Sequence, residues 1–504
     1  MSPFGARYST TATPSSVTDT GAPPTSILRA TAYQELRSIS FEERPIVDML
    51  WQPLLMGHEA GILVRGGDVV TMDADRTVVR DGAVLVQGAL IAAVESFESL
   101  RRAHPQALVI GDAEALVTPG YINAHQHVTG DRLVHSCIPD AIDSQDAIFG
   151  WAVPVHGAHT GGDDELSAML ACIEAVTNGI TCTVEAGTVA HPLRVAAGIR
   201  RVGMRATIGQ WGWDADGVPF AAPANEVLAR HAQLLDELPA GDLVEAWVTL
   251  VGHDLMSDEL VAGASELARE RQTGLTFHLS PHSGDPASYL ARTGYRPFVH
   301  LDRLGALGPH VLVAHGVHLD EEELDVVVRT DTAIASCPWA YLRLAQGYTA
   351  AGRHGELLAS GARIGLGCDS ENAGDAVDIL RAAALFIGLA RDRACDPFSF
   401  TAHDGLALAT IGGAAAIGKA SSIGSLEVGR QADIVVHDTT GPQWLPRSTD
   451  VVLQLIWASD GRSVSDVVIA GKPVVRDGKC ITVDVDALRG EAKSRRDFFL
   501  AAHG

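Results

Sequence analysis

The sequence predicts an α/β protein, a (β/α)8 TIM barrel with a small β-sandwich built from both chain ends. Three observations predict it. From residue 117 to about residue 420, strand-like and helix-like segments alternate eight times, the rhythm of parallel strands joined by crossover helices. On either side of that stretch the texture changes to short Val/Ile-rich runs split by glycine turns, which is hairpin grammar. The ends of the expected barrel strands carry histidines and an aspartate, which is where a barrel keeps its chemistry.

Residues 1–26 are rich in Ser, Thr, Pro and Gly and lack the apolar core of a signal peptide, so a disordered tail is expected. Residues 27–59 have a partly helical pattern broken at Pro45 and Pro53 and read as an N-terminal arm. From Gly61, GILVRGGDVVTMD and RTVVRDGAVLVQGALIAAVES supply the first part of the sandwich, over 60–118. The barrel is expected over 119–424. Its strand candidates are 118–126, 180–187, 204–210, 243–251, 274–280, 309–315, 331–336 and 362–368. The helices between them start at Asp or Pro and stop at Gly, as DDELSAMLACIEAVTNG (163–179) does. Hairpin texture returns in ADIVVHD (432–438) and VSDVVIAGKPVVRDGK (464–479), so the second part of the sandwich spans 425–487. A C-terminal helix or tail follows over 488–504.

Composition excludes several function classes. The formal net charge of −24 repels nucleic acid and anionic membrane, and no apolar run reaches the length of a membrane span. Seven scattered cysteines without a Cys-x-x-Cys argue against a disulfide framework or a thiolate zinc site. A cytoplasmic enzyme acting on a small molecule is the expectation, as a homo-oligomer.

The candidate chemistry starts at Thr118-Pro119-Gly120-Tyr121-Ile122-Asn123-Ala124-His125-Gln126-His127. Positions i and i+2 of a strand point the same way, so His125 and His127 can aim two imidazoles at one point. The fifth strand carries His278, then Pro281 and His282; the sixth ends in His315, followed by His318. The eighth ends in Cys368, Asp369, Ser370 and Glu371. Imidazoles and a carboxylate on separate strands suit a borderline metal with a position open to water, and such an ion acidifies that water.

The chain resembles the amidohydrolase superfamily, in the branch of triazine hydrolases and guanine-type deaminases, with phenylurea- and thiocarbamate-type hydrolases as further possible relatives. The residues that carry the resemblance are VTPGYINAHQH (117–127), VLVAHGVHLDEEEL (311–324), ASCPWAYLRLAQG (335–347), RIGLGCDSENAG (363–374) and SIGSLEVGRQADIVVHD (422–438). By matching position it implies that His125, His127, His278 and Asp369 ligate one divalent transition metal, zinc first, with iron, manganese or cobalt as alternatives. It implies that His315 polarises the substrate or holds the water and that Asp369 doubles as general base. The lysines bear on the metal count. All four (Lys419, Lys472, Lys479 and Lys493) come late, so a carboxylated lysine bridging two ions inside the barrel is excluded and a mononuclear site is expected.

One position departs from that branch. A Glu three residues past the strand-five histidine shuttles protons to a substrate ring nitrogen there; here the position is Pro281. His282 is the expected substitute acid or base. The loss puts hydrolysis of an amide, urea or carbamate first, and deamination or dechlorination of an N-heterocycle second. A non-catalytic binding barrel is the third reading. Trp151, Trp339, His318 and Glu371 are candidate substrate-binding residues, with Trp211 and Trp213 as further pocket aromatics. Glu185, Gln210, His135, His156 and His253 are polar groups without an assigned task.

Overall fold

The Val/Ile-rich runs near the two chain ends pair with each other. In the computed structural model, which describes residues 61–143, 146–215 and 217–503, they form one nine-stranded sheet. The tail expected over 1–26 and the arm expected over 27–59 lie outside the described residues. The N-terminal strands are β1 (Ile62–Val70), β2 (Val78–Gln87), β3 (Leu90–Ser96), β4 (Leu108–Gly111) and β5 (Leu116–Pro119). The C-terminal members, in their order along the chain, are Ile434–His437, Val464–Ile469, Lys472–Arg476 and Lys479–Cys480. The join between the two ends is antiparallel, Leu116–Pro119 against Ile434–His437, with Thr118 opposite Val435.

The barrel begins one residue after that join. β6 (Tyr121–Gln126) continues β5 across Gly120, whose amide donates to the Asp433 carbonyl. A Cβ at Gly120 would lie 2.0 Å from the Thr181 hydroxyl, so only glycine lets the chain pass from sheet to barrel here. The remaining barrel strands are β7 (Ile180–Glu185), β8 (Arg205–Ile208), β9 (Val244–Ala246), β10 (Val248–Gly252), β11 (Leu275–Leu279), β12 (Val311–His315), β13 (Ala333–Ser336) and β14 (Ile364–Leu366). All pair in parallel. β9 and β10 are one strand interrupted at Trp247, so eight strand positions line the barrel, as the alternation predicts. Trp247 donates its amide to Ile208, while its ring fills the space that a Cβ on Gly274 would occupy. The circle closes where the Cys368 and Asp369 amides donate to the His125 carbonyl.

Helices follow the strands. Gly161–Thr177 opens with a capping box, the Thr160 side chain bonded to the Asp163 amide and the Asp163 side chain returning to the Thr160 amide. Pro192–Val202 starts on its proline and ends at Gly203 in the left-handed region. The chain ends in the helix Val485–His503, whose Phe499 is fully buried against His159 while Arg495 pairs with Asp163. No helix among the described residues is long and apolar enough to cross a membrane.

β6, β12 and β13 end where the sequence places them, β7, β8, β11 and β14 stop one or two residues earlier, and β10 runs one residue further. His253, Ser280, His315 and Asp369 all take left-handed backbone conformations at φ 54°, 51°, 79° and 65°. Non-glycine residues adopt that region at a cost, and they cluster where the fold aims side chains inward.

Candidate metal centre

Each strand-end histidine reaches the barrel mouth with one ring nitrogen already committed or conspicuously free. His278 donates Nδ1–H to the Val251 carbonyl at 2.7 Å, and a carbonyl can only accept, so Nε2 is left bare. That Nε2 lies 3.2 Å from Nε2 of His127. Neither ring nitrogen of His125, which is 1% exposed, has a hydrogen-bond partner among the described residues. Asp369 Oδ1 stands 3.6 Å from His125 Nε2 and 3.5 Å from His127 Nε2. The ligand atoms of His125, His127 and His278 lie within 4.8 Å of one another, as do those of His125, His315 and Asp369.

Bare nitrogens crowded face to face are costly in a buried pocket unless something electron-poor sits between them. A divalent ion fits that requirement, and the donor set of imidazoles plus one carboxylate is that of a borderline metal. The protonation states agree. Burial holds His125 below the usual imidazole range, and burial together with neighbouring imidazoles holds His278 well below it. Burial pushes His315 down to about 3, against the pull of Asp369. For Asp369, burial alone would raise the carboxyl, but the His125, His127 and His315 imidazoles beside it outweigh that and hold it well below the usual range. At neutral pH the set offers neutral imidazoles and a carboxylate, the forms that bind metal. For His127, Asp369 works against burial and raises the imidazole, so a proton competes with the ion there.

The other predicted residues fall at varying removes. His282 is about half-buried, its Nδ1 accepts the Gly284 amide, and its ring lies parallel to His253 at 6.4 Å between centroids. His318 is tied through Nε2 to the Gln346 carbonyl at 2.8 Å. Trp339 carries Arg381 over its ring at 4.7 Å. Trp151 is partly buried in the π-helical turn Asp146–Ala152. Glu371 is 1% exposed and faces Arg132, which also bonds Glu174 at 2.5 Å. Burial pushes the Glu371 carboxyl up to about 8 against that arginine. The guanidinium therefore fills the cluster of His135, Glu174 and Glu371 that would otherwise suit a cation. Trp211 and Trp213 stack on each other at 4.8 Å and are buried, with Phe220 on the outer face of Trp211. Glu245 pairs with Lys419 at 2.5 Å, near the start of β9 and away from the strand-end histidines.

Two further groups stand close to the centre. His253, at the end of β10, stacks on His278 at 5.6 Å and donates Nδ1–H to Asp285 Oδ2 at 2.9 Å. The same oxygen accepts the Ser280 amide. The sequence flagged His253 only as a strand-end polar group, and nothing in its spacing pairs it with an aspartate 32 residues on. Thr188 is the other, bonded to His127 Nδ1 at 2.9 Å. Its distance along the chain from His127 leaves no sequence signal.

An eight-stranded barrel with convergent histidines and an aspartate at its strand ends defines the class of metal-dependent hydrolases. The Amidohydrolase family model matches residues 116–474, and the chain belongs to that family. A short stretch, residues 82–107, also matches an imidazolonepropionase-like composite domain of bacteria. A 5-methylthioadenosine/S-adenosylhomocysteine deaminase of Syntrophobacter fumaroxidans is 28% identical over 427 residues, 85% of this chain and 95% of that one. Its namesake in Nitratidesulfovibrio vulgaris is 29% identical over 448 residues, covering 88% and 99%. Among solved structures, a zinc-bound adenosine deaminase from Xanthomonas campestris superposes with a TM-score of 0.81 at 27% identity, over 87% of this chain and 98% of that one. Atrazine chlorohydrolase from Arthrobacter aurescens, complexed with zinc, shares the fold with a TM-score of 0.77 at 23% identity, over 86% and 100%. The protein is an enzyme of this family, acting on carbon–nitrogen bonds other than peptide bonds.

Proposed function

We propose that the chain hydrolytically deaminates an aminated N-heterocycle of the purine type, at one divalent metal, zinc first, held by His125, His127, His278 and Asp369. The observation that carries the metal is the convergence of the His125, His127 and His278 ligand atoms within 4.8 Å of one another, with Asp369 Oδ1 at 3.6 and 3.5 Å from His125 and His127. The deaminase names of relatives that align over 85% or more of the chain support the substrate class. That reverses the order expected from sequence, where amides, ureas and carbamates came first. A single ion is favoured because Lys419 is engaged with Glu245 away from the strand-end histidines, which leaves the barrel mouth without a lysine to bridge two.

A metal bound there would bring the pKa of a polarised water toward neutrality. Asp369, ionised at neutral pH, takes the water's proton and returns it to the departing amine, so the products are the oxo-heterocycle and ammonia. His315, neutral above about pH 3, donates an N–H to the oxygen that develops charge. The ring nitrogen also needs a proton donor, and Pro281 cannot serve. His253, oriented by Asp285, takes that duty, and the more exposed His282 is the alternative.

Pro281 keeps a second reading open, hydrolysis of an amide, urea or carbamate, whose leaving nitrogen needs only Asp369. The test is turnover by the zinc-loaded enzyme, followed as ammonia from adenosine, 5-methylthioadenosine and guanine and as aniline from a phenylurea, an N-arylcarbamate and an anilide. Turnover of the purines with silence on the others is expected. The opposite pattern would transfer the assignment to the second reading.

A further inference from the structure

His127 is the ligand whose orientation depends on a side-chain relay. Its Nδ1 lies 2.9 Å from the Thr188 hydroxyl oxygen. That hydroxyl donates to Glu185 Oε1 at 3.1 Å. Glu185 is 0% exposed at the end of β7, and both its oxygens are occupied: Oε2 accepts the Gly187 amide at 2.7 Å, and Oε1 accepts the Thr188 amide at 3.2 Å. Thr188 is held from the other side too, its carbonyl accepting from the Thr129 hydroxyl.

These bonds have a direction. A carboxylate only accepts, and both Glu185 oxygens take backbone N–H groups, so the Thr188 hydroxyl gives its proton to Glu185 and meets His127 with a lone pair. His127 Nδ1 then carries hydrogen and donates. Its Nε2 is left as the lone-pair nitrogen, on the side facing His278 Nε2 and Asp369 Oδ1. We propose that Glu185 and Thr188 are positioning residues that lock His127 into the metal-binding tautomer, the hydroxyl carrying the carboxylate's influence to the ring. Such outer partners orient a ligand and raise its basicity, and their loss weakens metal affinity by about 10–100-fold. His278 has a backbone carbonyl in the same role, which no substitution can remove; Thr188 is the point where this device is open to mutation.

The proposal rests on the metal assignment above, so the experiment separates the two. Zinc affinity is measured by chelator competition on the full chain for wild type, Thr188→Val and Thr188→Ser, with the unfolding midpoint of each metal-free protein recorded. Thr188→Val is expected to weaken zinc about 10–100-fold, and Thr188→Ser, which keeps the hydroxyl, to stay within about threefold of wild type. A merely structural threonine would lower the metal-free midpoint in both variants and leave affinity unchanged; that result overturns the proposal. Nitrogen-15 NMR of the metal-free wild type gives a test free of variants and of metal. Followed upward in pH until His127 is neutral, its expected signal is that of Nδ1–H with bare Nε2, and the reverse tautomer overturns the relay. Wild type that binds no zinc yet shows the Nδ1–H tautomer would remove the metal assignment and leave the relay standing.

Discussion

In the proposed mechanism Asp369 carries two duties on one side chain, and its backbone conformation suits them. Its φ of 65° turns the carboxylate back toward His125 and His127 after β14 has ended. Gly367, two residues before, lies so close to His125 that a Cβ there would come within 2.9 Å of the histidine's own. Replacing Asp369 by Asn removes the base while preserving shape, and turnover is expected to fall by about 10²–10⁴-fold, measured as ammonia release. The ring-nitrogen donor is tested in the same assay. His253→Ala is expected to cost about 10²-fold, and His282→Ala less than about tenfold, because His253 is aligned on His278 and held by Asp285. Equal losses would show that the two histidines share the task.

At the scale of elements, the barrel is fastened to the mixed sheet by two buried polar links. Arg205 of β8 forks onto Asp433, both oxygens engaged at 3.0 and 3.1 Å, with the aspartate 3% exposed. Asp433→Ala leaves that guanidinium uncompensated and is expected to cost about 3–5 kcal/mol in denaturant unfolding. The second link is His437, fully buried, which bonds Tyr121 at the start of β6 at 2.7 Å and the Ser463 hydroxyl at 2.8 Å. Burial pushes its pKa down to about 3, below the ordinary 6.5 of an unfolded chain. The unfolded state therefore binds the extra proton first. Stability contributed by neutral His437 is complete above pH 6.5 and is lost as pH falls toward 3, amounting to about 2 kcal/mol by pH 5. Denaturant midpoints between pH 7 and pH 5 should fall in wild type and fall less in His437→Gln.

On the proposed assignment the metal and stability are coupled by mass action, since candidate ligands scattered from residue 125 to residue 369 converge only when the barrel is closed. Chelation is expected to abolish activity and lower the unfolding midpoint. Zinc restores both, and elemental analysis should return about one ion per chain. Two ions per active chain would end the mononuclear reading. Removing residues 1–26 is expected to leave activity unchanged, because their composition cannot bury a core.

The sequence alone determined whatever is written in local pattern. Period-two alternation, glycine turns and helix stop signals marked eight barrel strands within a few residues, and the His-x-His of 125 and 127 declared itself because strand residues two apart share a face. Only the tertiary structure decided which distant groups meet. It put Thr188 on His127, Asp285 on His253 and Arg132 on Glu371, separations of 61, 32 and 239 residues that no local pattern records. It also split the continuous run from Leu116 to Gln126 between two sheets at Gly120. The physical reason is the same in each case. Chain periodicity fixes the direction in which a side chain leaves its own element, whereas its partner is chosen by the packing of other elements around it.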